Sequence, residues 1–560
     1  MPYASRDVLN ITISLDWKIQ NKIVFSQKII KIMQFSKEQE DIFQYAVHGP
    51  FNLIVQAVAG AGKTTTLVEC VNRIGPDKRI LLLAHNRSTR DTLKQKIGDR
   101  KNVNIFTLHG LGWRLYTEHF EMAAEIVEDK YRTYLNKNID AISSDFYRAL
   151  SAPQKMMYKA NVVDLIDKAR YNLKQSEKEI RKLAEKKYGM SLVGDEAHMV
   201  SKILKWGIEH KEIVDYQDLL WFPSQFGYFT KIFKPDVIMV DEAQDASIAQ
   251  QDLIKRCMQR YTRLIGFGDK WQTINAWCGS DNESFEHFKD ADEFRRPAVE
   301  LPLTTCYRCG KKIIEYAKRY VENDIHARDD AEDGVVRHDA SIRDAKDGDL
   351  ILCRNIAPLM EVYRRGVANG QKMYFRGEEL GSNLLKAADC AGGEKISDII
   401  YSMKERLVST WEFFTKERGL DERETMTEPL VMSLLDTIKT MENLPKTVET
   451  RKDLEKFSKD VFSNEGKDGI QLSTIHRAKG LEADNVFVVC PSLLPSRLAT
   501  LDWQIQEEKN LQYVMCTRPK NSLNFVSEKE LAPHNAYSEK NSLYKELSSI
   551  RNEVNEIKWV

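Results

Sequence analysis

The sequence predicts an α/β chain in which parallel sheets are flanked by helices and interrupted by helical insertions. Three observations favour this class. An apolar run at residues 53–55 leads through small residues into Gly62, Lys63 and Thr64, after which a helical pattern begins. A second apolar run at residues 237–240 ends in two carboxylates. A further series of strand and helix patterns starts near residue 300. Strands that alternate with helices in this way are typical of parallel sheets.

The composition is that of a globular chain with 42% hydrophobic and 30% charged residues. At 560 residues the chain is too long for one core, so we expect about three to four domains or subdomains. The 83 basic and 83 acidic residues cancel, so any nucleic-acid site must be a local patch. Nine scattered cysteines indicate a reducing compartment. Since no apolar run reaches the ~18 residues of a membrane span, we expect no membrane contact and a cytoplasmic location, which would be the host cytoplasm for a viral protein.

The first 34 residues are interpreted as an N-terminal extension. They mix apolar and basic residues without a cleavage-site pattern, which argues against a signal peptide. Two hypotheses stay open: translation starts at Met33 instead, or these residues add a strand or a helix to the first domain. A helix is predicted to begin just after Phe35, with Ser36 as its N-cap and Gln39 in its first turn.

The stretch around Lys63 has the layout of a phosphate-binding loop. Small residues let backbone N–H groups surround a phosphate, and the following helix directs its positive end to the same place. Lys63 would reach the β- and γ-phosphates of ATP, and the Thr64 hydroxyl would ligate Mg²⁺. The strict pattern has glycine where this chain has Ala57. The residues assigned to the loop are Ala59, Gly60, Ala61, Gly62, Lys63, Thr64 and Thr65.

Polar residues follow several other predicted strands of this unit. Strands at 79–84 and 103–107 are followed by polar residues, at the edge where α/β sheets bind ligands. The strand at 237–240 ends in Asp241 and Glu242, which would hold Mg²⁺ and would orient and deprotonate water, respectively. After the strand at 263–267 come a candidate γ-phosphate sensor and two candidate base-stacking platforms: Gln272, Trp271 and Trp277.

The second unit begins with Cys306 and Cys309, whose single Cys-x-x-Cys spacing offers too few ligands for zinc. Strands are predicted at 349–353, 372–375, 470–473 and 486–490, and a helix at 507–518. The tail carries an apolar helical seam, for which packing on the chain itself is favoured over a coiled coil with a protein partner. The seam consists of Leu543, Leu547, Ile550, Val554 and Ile557.

Taken together, these motifs resemble those of the UvrD/Rep/PcrA-type superfamily 1 DNA helicases, over roughly residues 35–530. The resemblance implies two RecA-like P-loop NTPase domains, 3′→5′ movement, ATP and Mg²⁺ as cofactors, and single-stranded DNA and single/double-strand junctions as partners of a monomer. Catalytic roles then fall on Lys63, Asp241, Glu242, Gln272, Arg308 and Arg518. Further nucleotide contacts fall on Gln39, Tyr307 and Glu482. The DNA-facing motifs contain Asn86, Arg87, Ser88, Thr107, His109, Trp277, Thr474 and His476.

The chain departs from the family pattern at several positions. His85 and the three residues after it are closer to the F-box helicase branch, and Ala57 is normal for the family. Asn275 and Cys278 stand where a stacking Tyr and an Arg are usual, which predicts a thinner base-stacking pocket. The segment 386–466 is much shorter than the accessory subdomain of large family members. In the large members that subdomain regulates unwinding. The short segment therefore predicts a compact motor that either unwinds without this regulation or translocates well and unwinds poorly.

The resemblance predicts eight segments. They are an extension (1–34), motor domain 1 (35–110 and 236–299) with a helical insertion (111–235), motor domain 2 (300–385 and 467–530) with a helical accessory insertion (386–466), and a helical tail (531–560). The predicted activity is an ATP-dependent DNA helicase of repair, recombination or replication. Two alternatives stay open. One is a DNA-stimulated ATPase that remodels protein–DNA complexes without productive unwinding, and the other is a nucleotide-gated subunit of a defence complex.

Overall fold

The computed structural model describes residues 35–190, 192, 194–230, 234–280, 283–417, 419–425, 428–463, 466–527, 529–531 and 540–557. A six-stranded and a seven-stranded parallel sheet organise this part of the chain. The predicted extension at 1–34, including the alternative start at Met33, lies outside the described residues. Within the described part of the chain, no helix has both the length and the apolar character needed to cross a bilayer.

The first sheet is built from short apolar runs, most of them buried on both faces, as in other parallel sheets. Its strand order is β3-β2-β6-β7-β1-β8, and β4 pairs with β5 in a separate ladder. The strands are β1 (Asn52–Ala57), β2 (Ile80–Ala84), β3 (Val103–Thr107), β4 (Glu125–Ile126), β5 (Ile213–Val214), β6 (Val237–Val240), β7 (Arg263–Gly268) and β8 (Ala298–Leu303). The helices of this unit are Lys37–His48, Lys63–Ile74, Arg87–Ile97, Leu108–Phe120, Ile248–Arg256 and Ser284–His287.

In its described residues, the segment between β3 and β6 contains helices and the two-residue strands β4 and β5. Its core contains a buried network of charges. Asp218 accepts hydrogen bonds from Tyr131 Oη (2.6 Å), Lys130 Nζ (2.8 Å) and Arg170 Nη1 (2.8 Å). The insertion helices are Lys130–Ile142, Asp145–Ala149, Ala152–Tyr171, Glu177–Lys187, Glu196–Glu209 and Asp218–Gln225.

The second sheet has the order β11-β17-β16-β12-β15-β13-β14, with all neighbours parallel. A separate two-stranded ladder pairs β9 with β10. The strands are β9 (Thr305–Cys306), β10 (His326–Ala327), β11 (Val335–Ala340), β12 (Leu350–Cys353), β13 (Met373–Arg376), β14 (Phe462–Ser463), β15 (Ile470–Thr474), β16 (Ala483–Val488) and β17 (Pro519–Val526). Its flanking helices are Lys311–Ala317, Ile356–Ala368, Glu378–Ala391 and Asp502–Cys516.

The C-terminal helix packs on the chain itself. Leu547, Ile550 and Val554 are buried in the same core as the helices between β13 and β14, and Lys404 Nζ donates to the Glu553 carboxylate (2.9 Å). This is the favoured interpretation of the apolar seam for these three residues. The side chains of Leu543 and Ile557 lie outside what the structure describes. The helices of this region are Ile396–Glu412, Glu422–Thr425, Pro429–Glu442, Arg451–Val461 and Lys540–Ile557.

One predicted boundary needs correction. The second unit was expected to start at residue 300, but β8 runs to Leu303 and pairs with β1 along its whole length. The boundary at 299/300 therefore falls inside a strand of the first sheet. Mixed polar and apolar residues, including Glu300 and Pro302, hide this edge strand in the sequence.

Candidate nucleotide cleft

The phosphate loop joins β1 to the helix Lys63–Ile74. Gly60 and Gly62 have φ angles of +70° and +78°, in the left-handed region that favours glycine. A Cβ at Gly60 would lie 2.8 Å from Sγ of Cys306, so a side chain does not fit there. Because the helix starts at Lys63, its first-turn N–H groups are available to an anion at the loop.

Two carboxylates follow β6 at the same edge of the sheet. The Nζ of Lys63 lies 3.5 Å from Oε1 of Glu242, and Gln244 Nε2 donates to Oε2 of Glu242 (2.6 Å). Burial raises the pKa of Asp241, and the Glu242 anion raises it further. Burial alone would also raise the pKa of Glu242, but the Lys63 and Lys479 cations hold it well below its ordinary value. Glu242 is therefore the ionised member of the pair.

Gln272 connects the two sheets. Its Nε2 donates to Asp269 Oδ2 (2.8 Å), and its Oε1 lies 3.5 Å from Nη2 of Arg518, which comes from the second unit. Lys479 Nζ donates to the backbone oxygen of Gln272 (2.7 Å) and to the Asp245 carboxylate. The predicted γ-phosphate sensor is thus held between an aspartate of its own sheet and two cations of the other.

Two arginines of the second unit face the loop. Arg308 Nε donates to Glu482 (2.8 Å) and Nη1 to the Thr517 carbonyl (3.1 Å), which fixes the plane of the guanidinium. Arg518 is almost fully buried and donates from Nε to the Val514 carbonyl (2.8 Å). Burial, and then the nearby Arg308 cation, lower the pKa of Arg518 to about 10, so it stays charged at neutral pH.

These groups line one cavity of about 1050 Å³ between the sheets. That volume is at the upper end of the range for small-molecule sites. The phosphate loop and the acids form one wall and the arginines the other. Of the predicted residues it is lined by Gly60, Ala61, Gly62, Lys63, Thr64, Thr65, Asn86, Asp241, Glu242, Gln272, Tyr307, Arg308, His476, Glu482 and Arg518.

The predicted base-binding residues are placed differently from one another. Tyr307 is exposed beside the cleft, and its N–H donates to the Gly60 carbonyl (2.9 Å). Gln39 is buried, with Nε2 donating to Thr66 Oγ1 (3.0 Å) and Oε1 accepting from the Ser36 N–H (2.9 Å). Each end of the Gln39 amide makes one of these bonds within the protein and keeps one further donor or acceptor position for a base.

The helix Asp502–Cys516 touches the first unit at three levels along one face. Tyr513 Oη accepts from the Ala59 N–H of the phosphate loop (3.1 Å). Asn510 Nδ2 donates to the Thr273 carbonyl (2.8 Å), and Glu507 Oε1 accepts from the Ala276 N–H (3.0 Å). The helix therefore links the phosphate loop to the segment that carries Trp277.

Several predicted DNA-facing residues are exposed near the cleft. Asn86, Arg87 and Ser88 are exposed at the carboxyl end of β2, where Asn86 Oδ1 also caps a helix through the Thr89 N–H (2.8 Å). Trp277 is 57% exposed, which is unusual for a large apolar side chain. Trp271, in contrast, packs against the core, so its interpretation as a stacking platform is corrected.

The remaining predicted DNA-facing residues lie in different environments. Thr107 is buried and its Oγ1 accepts from the Gly110 N–H (3.1 Å), so the structure gives its hydroxyl a capping role instead. His109 lies edge-on to the exposed Tyr216, with ring centroids 6.3 Å apart. Thr474 ends β15, and His476 lines the nucleotide cavity. Burial, and then Arg354, lower the pKa of His476 to about 3, so this imidazole is neutral.

The donor set fits a magnesium ion that arrives with a nucleotide. Thr64 offers a hydroxyl and Asp241 a buried carboxyl group whose pKa is raised by burial and by the Glu242 anion. The described residues contain no group of three or more His, Cys, Asp or Glu that would hold a metal alone. Hard oxygen ligands in small number suit Mg²⁺, which usually completes its shell with substrate phosphates and water.

Fold and cleft together define a class of nucleotide-dependent motor built on two parallel sheets. Family comparison agrees: the UvrD/REP helicase N-terminal domain matches residues 35–292, and the UvrD-like helicase C-terminal domain matches residues 386–530. The chain belongs to the UvrD/Rep/PcrA-like superfamily 1 helicases.

Similar proteins carry helicase names. The F-box DNA helicase protein 1 of Schizosaccharomyces pombe is 24% identical over 530 residues, covering 87% of this chain and 57% of that protein. The ATP-dependent DNA helicase PcrA of Bacillus subtilis is 22% identical over 297 residues, covering 48% of this chain and 37% of the relative. PcrA of Staphylococcus aureus strain Mu50 is 24% identical over 430 residues, covering 56% of this chain and 58% of that protein. The chain thus spans roughly a third to three fifths of these relatives.

Sequence reasoning missed part of the cleft. Lys479 lines the cavity, Asp269 holds Gln272, and Glu507, Asn510 and Tyr513 bond to the first unit. A signal for the last three existed, since polar residues spaced three apart share one face of a helix. Lys479 gives no comparable signal, because its contacts with Gln272 and Asp245 depend on how the two sheets meet.

Proposed function

We propose that this chain is an ATP-dependent DNA helicase or translocase that moves 3′→5′ on single-stranded DNA as a monomer. The observation that carries the proposal is the single cavity shared by Lys63, Asp241 and Glu242 of one sheet and Arg308 and Arg518 of the other. Phosphoryl transfer needs these parts: a cradle for the phosphates, a group that orients water, and cations for the transition-state charge. The names of the similar proteins support DNA as the polymer.

The contact of Lys63 with Glu242 controls when Glu242 is free to act as the general base. In the structure its ammonium group neutralises Glu242 at 3.5 Å. A nucleotide phosphate competes for that cation, which frees the Glu242 carboxylate to orient and deprotonate water. Thr64 and Asp241 would hold Mg²⁺, which supplies charge stabilisation at the phosphates when bound. Arg308 and Arg518 act from the opposite wall, so hydrolysis depends on how the two units are arranged.

DNA is proposed to lie across the exposed residues near the cleft. Trp277 offers a stacking surface, and base–aromatic stacking contributes about 1–3 kcal/mol per base. His109 with Tyr216 provides a second aromatic site, which the sequence did not predict. The helix Asp502–Cys516 gives a route for coupling, because Glu507 holds the Ala276 backbone beside Trp277 while Tyr513 holds the phosphate loop.

The first experiment is steady-state ATP hydrolysis with and without single-stranded DNA, in the wild type and Glu242→Gln. We expect a large DNA-dependent increase that the variant loses, since glutamine keeps the shape and loses the base. DNA binding measured on both proteins is the control for folding. A wild-type rate that ignores DNA would reject a coupled motor and favour the nucleotide-gated subunit.

Polarity and unwinding need separate assays. Displacement of streptavidin from a biotin at either end of a single strand tests direction, and faster release from the 5′ end is expected. Strand displacement on a forked duplex tests unwinding. Streptavidin removal without strand displacement would favour the protein-remodelling alternative. That outcome would fit the compact helical segment between β13 and β14.

A further inference from the structure

Two thiols flank the first arginine at the base of the cleft. Cys306 and Cys309 are both buried and stand three residues apart, and each thiol shifts the pKa of the other. Cys306 packs under the phosphate loop: a Cβ on Gly60 would come within 2.8 Å of its sulfur. Cys309 Sγ lies 3.6 Å from the Thr517 carbonyl, next to Arg518. The pair thus touches the phosphate loop at one end and the second arginine's segment at the other.

We propose that Cys306 and Cys309 form a reversible oxidation site, in which a peroxide converts the dithiol into a disulfide and lowers turnover. The loss of turnover rests on the proposed function, whereas formation of the disulfide does not. The Cys-x-x-Cys spacing permits a local disulfide. A metal does not explain the pair, because the described residues supply no further cysteine or histidine ligands around it.

The surroundings of Cys306 favour its thiolate. The hydrogen bond from Cys309 lowers the pKa of the Cys306 thiol despite its burial, and backbone N–H groups and the Arg308 guanidinium act in the same direction. The same interaction, together with burial, raises the pKa of the Cys309 thiol well above its ordinary value. Since thiolates are the reactive form, Cys306 is the nucleophile.

The chemistry balances with one peroxide. The Cys306 thiolate attacks an oxygen of hydrogen peroxide, the O–O bond breaks, and the departing hydroxide takes a proton to become water, leaving a sulfenic acid. The Cys309 thiol gives up its proton, its sulfur attacks the Cys306 sulfur, and the S–O bond breaks to release a second water. Two thiols lose two electrons and one peroxide becomes two waters. A small dithiol restores the pair by exchange.

The disulfide acts on Arg308 because that residue lies inside the closed loop. A sulfur–sulfur bond of about 2.05 Å is far shorter than a thiol–thiol contact, so both sulfurs must move. The movement draws Cys306 from the phosphate loop and Cys309 from Thr517. Arg308, which is held by Glu482 and the same Thr517 carbonyl, loses its present orientation.

The test is peroxide titration of the reduced protein, with all cysteines mapped by mass spectrometry and ATP hydrolysis measured on the same samples. We expect the Cys306–Cys309 disulfide to form before modification of the exposed Cys390, with at least a tenfold loss of DNA-stimulated turnover that dithiothreitol reverses. Cys309→Ser should instead accumulate a sulfenic acid at Cys306. Cys390→Ser is the matched control and should behave as the wild type.

Two outcomes overturn the proposal: oxidation of Cys390 while the pair stays reduced, or complete disulfide formation with unchanged turnover. Failure of the proposed function is recognised separately, because a reduced protein without DNA-stimulated hydrolysis still yields the peptide map. In that case the proposal is decided by whether the Cys306–Cys309 pair is oxidised before Cys390. Saturation with a non-hydrolysable ATP analogue should slow disulfide formation, since Gly60 covers Cys306; equal rates would reject access through the cleft.

Discussion

Two buried networks of charged residues differ in composition: one lies within the helical insertion, and the other is shared by the two sheets beside the cleft. In the helical insertion, Asp218 is surrounded by Lys130, Tyr131 and Arg170, all from helices of the same unit. The Arg170 guanidinium also lies over the Tyr131 ring, 4.3 Å from its centroid. None of these residues lines the cavity of the cleft. Arg170 also donates to Asp215 and Asp167 of the insertion, and its Nε has no hydrogen-bond partner among the described residues.

The cleft network draws its members from two sheets and faces a cavity. Glu242 and Asp245 come from the first unit, whereas Lys479 and Arg518 come from the second. Asp245 Oδ1 is buried and, among the described residues, has no hydrogen-bond partner. Burial of charge therefore does not by itself mark a functional site. A network divided between units and left open to a cavity does, because a ligand or a domain movement can complete it.

Lys63→Ala should give the largest effect and should separate function from stability. Without the ammonium group the phosphates lose their principal cation, so we expect turnover to fall at least ~10³-fold. The free energy of unfolding should change by less than about 1 kcal/mol, since Lys63 is partly exposed and pairs with Glu242 only at 3.5 Å. Steady-state hydrolysis and urea denaturation measure the two quantities. Retained hydrolysis would contradict the phosphate-loop assignment.

Arg308→Ala tests whether the second wall contributes to chemistry. We expect about a 10³-fold loss of turnover with a modest change in nucleotide affinity. Arg308→Lys keeps the charge but cannot reproduce the two-sided contact with Glu482 and the Thr517 carbonyl, so an intermediate rate is expected. Single-turnover hydrolysis and binding of a fluorescent ATP analogue separate the two effects. An unchanged rate in both variants would place the transition-state cation elsewhere.

Much of the fold was predictable because the central strands are apolar runs bounded by polar residues. The central strand Val237–Val240 begins and ends where the sequence predicted, and so does the edge strand Val103–Thr107. The strands β8, β11 and β17 were missed. β8 and β11 are the edges of their sheets, and β17 lies next to β11, so polar residues interrupt their apolar pattern.

The site was predictable where a motif is local in sequence. The phosphate loop and the acids after β6 meet at one sheet edge, as parallel topology requires. The contact of Gln272 with Arg518 joins residues 246 apart in the chain, and only the resemblance suggested that they meet. The ion pair of Arg308 with Glu482 was not predicted, although both residues were assigned to the nucleotide. Such pairings depend on the orientation of one sheet against the other.

Asp218→Asn tests the network of the helical insertion. Lys130 and Arg170 would lose the charge that neutralises them in the core, and breaking a buried ion pair costs about 3–5 kcal/mol. We expect this loss in denaturant unfolding, with turnover per folded molecule within about twofold of the wild type. Asp145→Asn, in the exposed pair with Arg148, is the matched control and should change stability very little. A large loss of turnover at unchanged stability would contradict this distinction, because the network of the insertion would then serve function as the cleft network does.

Glu507→Gln gives the smallest effect and tests whether contacts across the cleft are sensitive to pH. Burial raises the pKa of Glu507 to about 7; Glu508 and Asp245 raise it too, while the Ala276 N–H and Arg354 oppose the rise. The folded protein thus keeps a proton that the unfolded chain loses near its ordinary pKa. The stability from this group is present below about pH 4.5 and is lost as the pH rises through 7.

Glutamine keeps an oxygen for the Ala276 N–H and does not titrate. The variant should therefore gain stability relative to the wild type between pH 5 and 8, by about 1–3 kcal/mol. Thermal unfolding of both proteins at matched ionic strength measures the difference, and Glu507→Ala controls for loss of the hydrogen bond. A difference that stays constant with pH would mean that Glu507 ionises normally. The helix Asp502–Cys516 would then hold the Trp277 segment with equal strength across neutral pH.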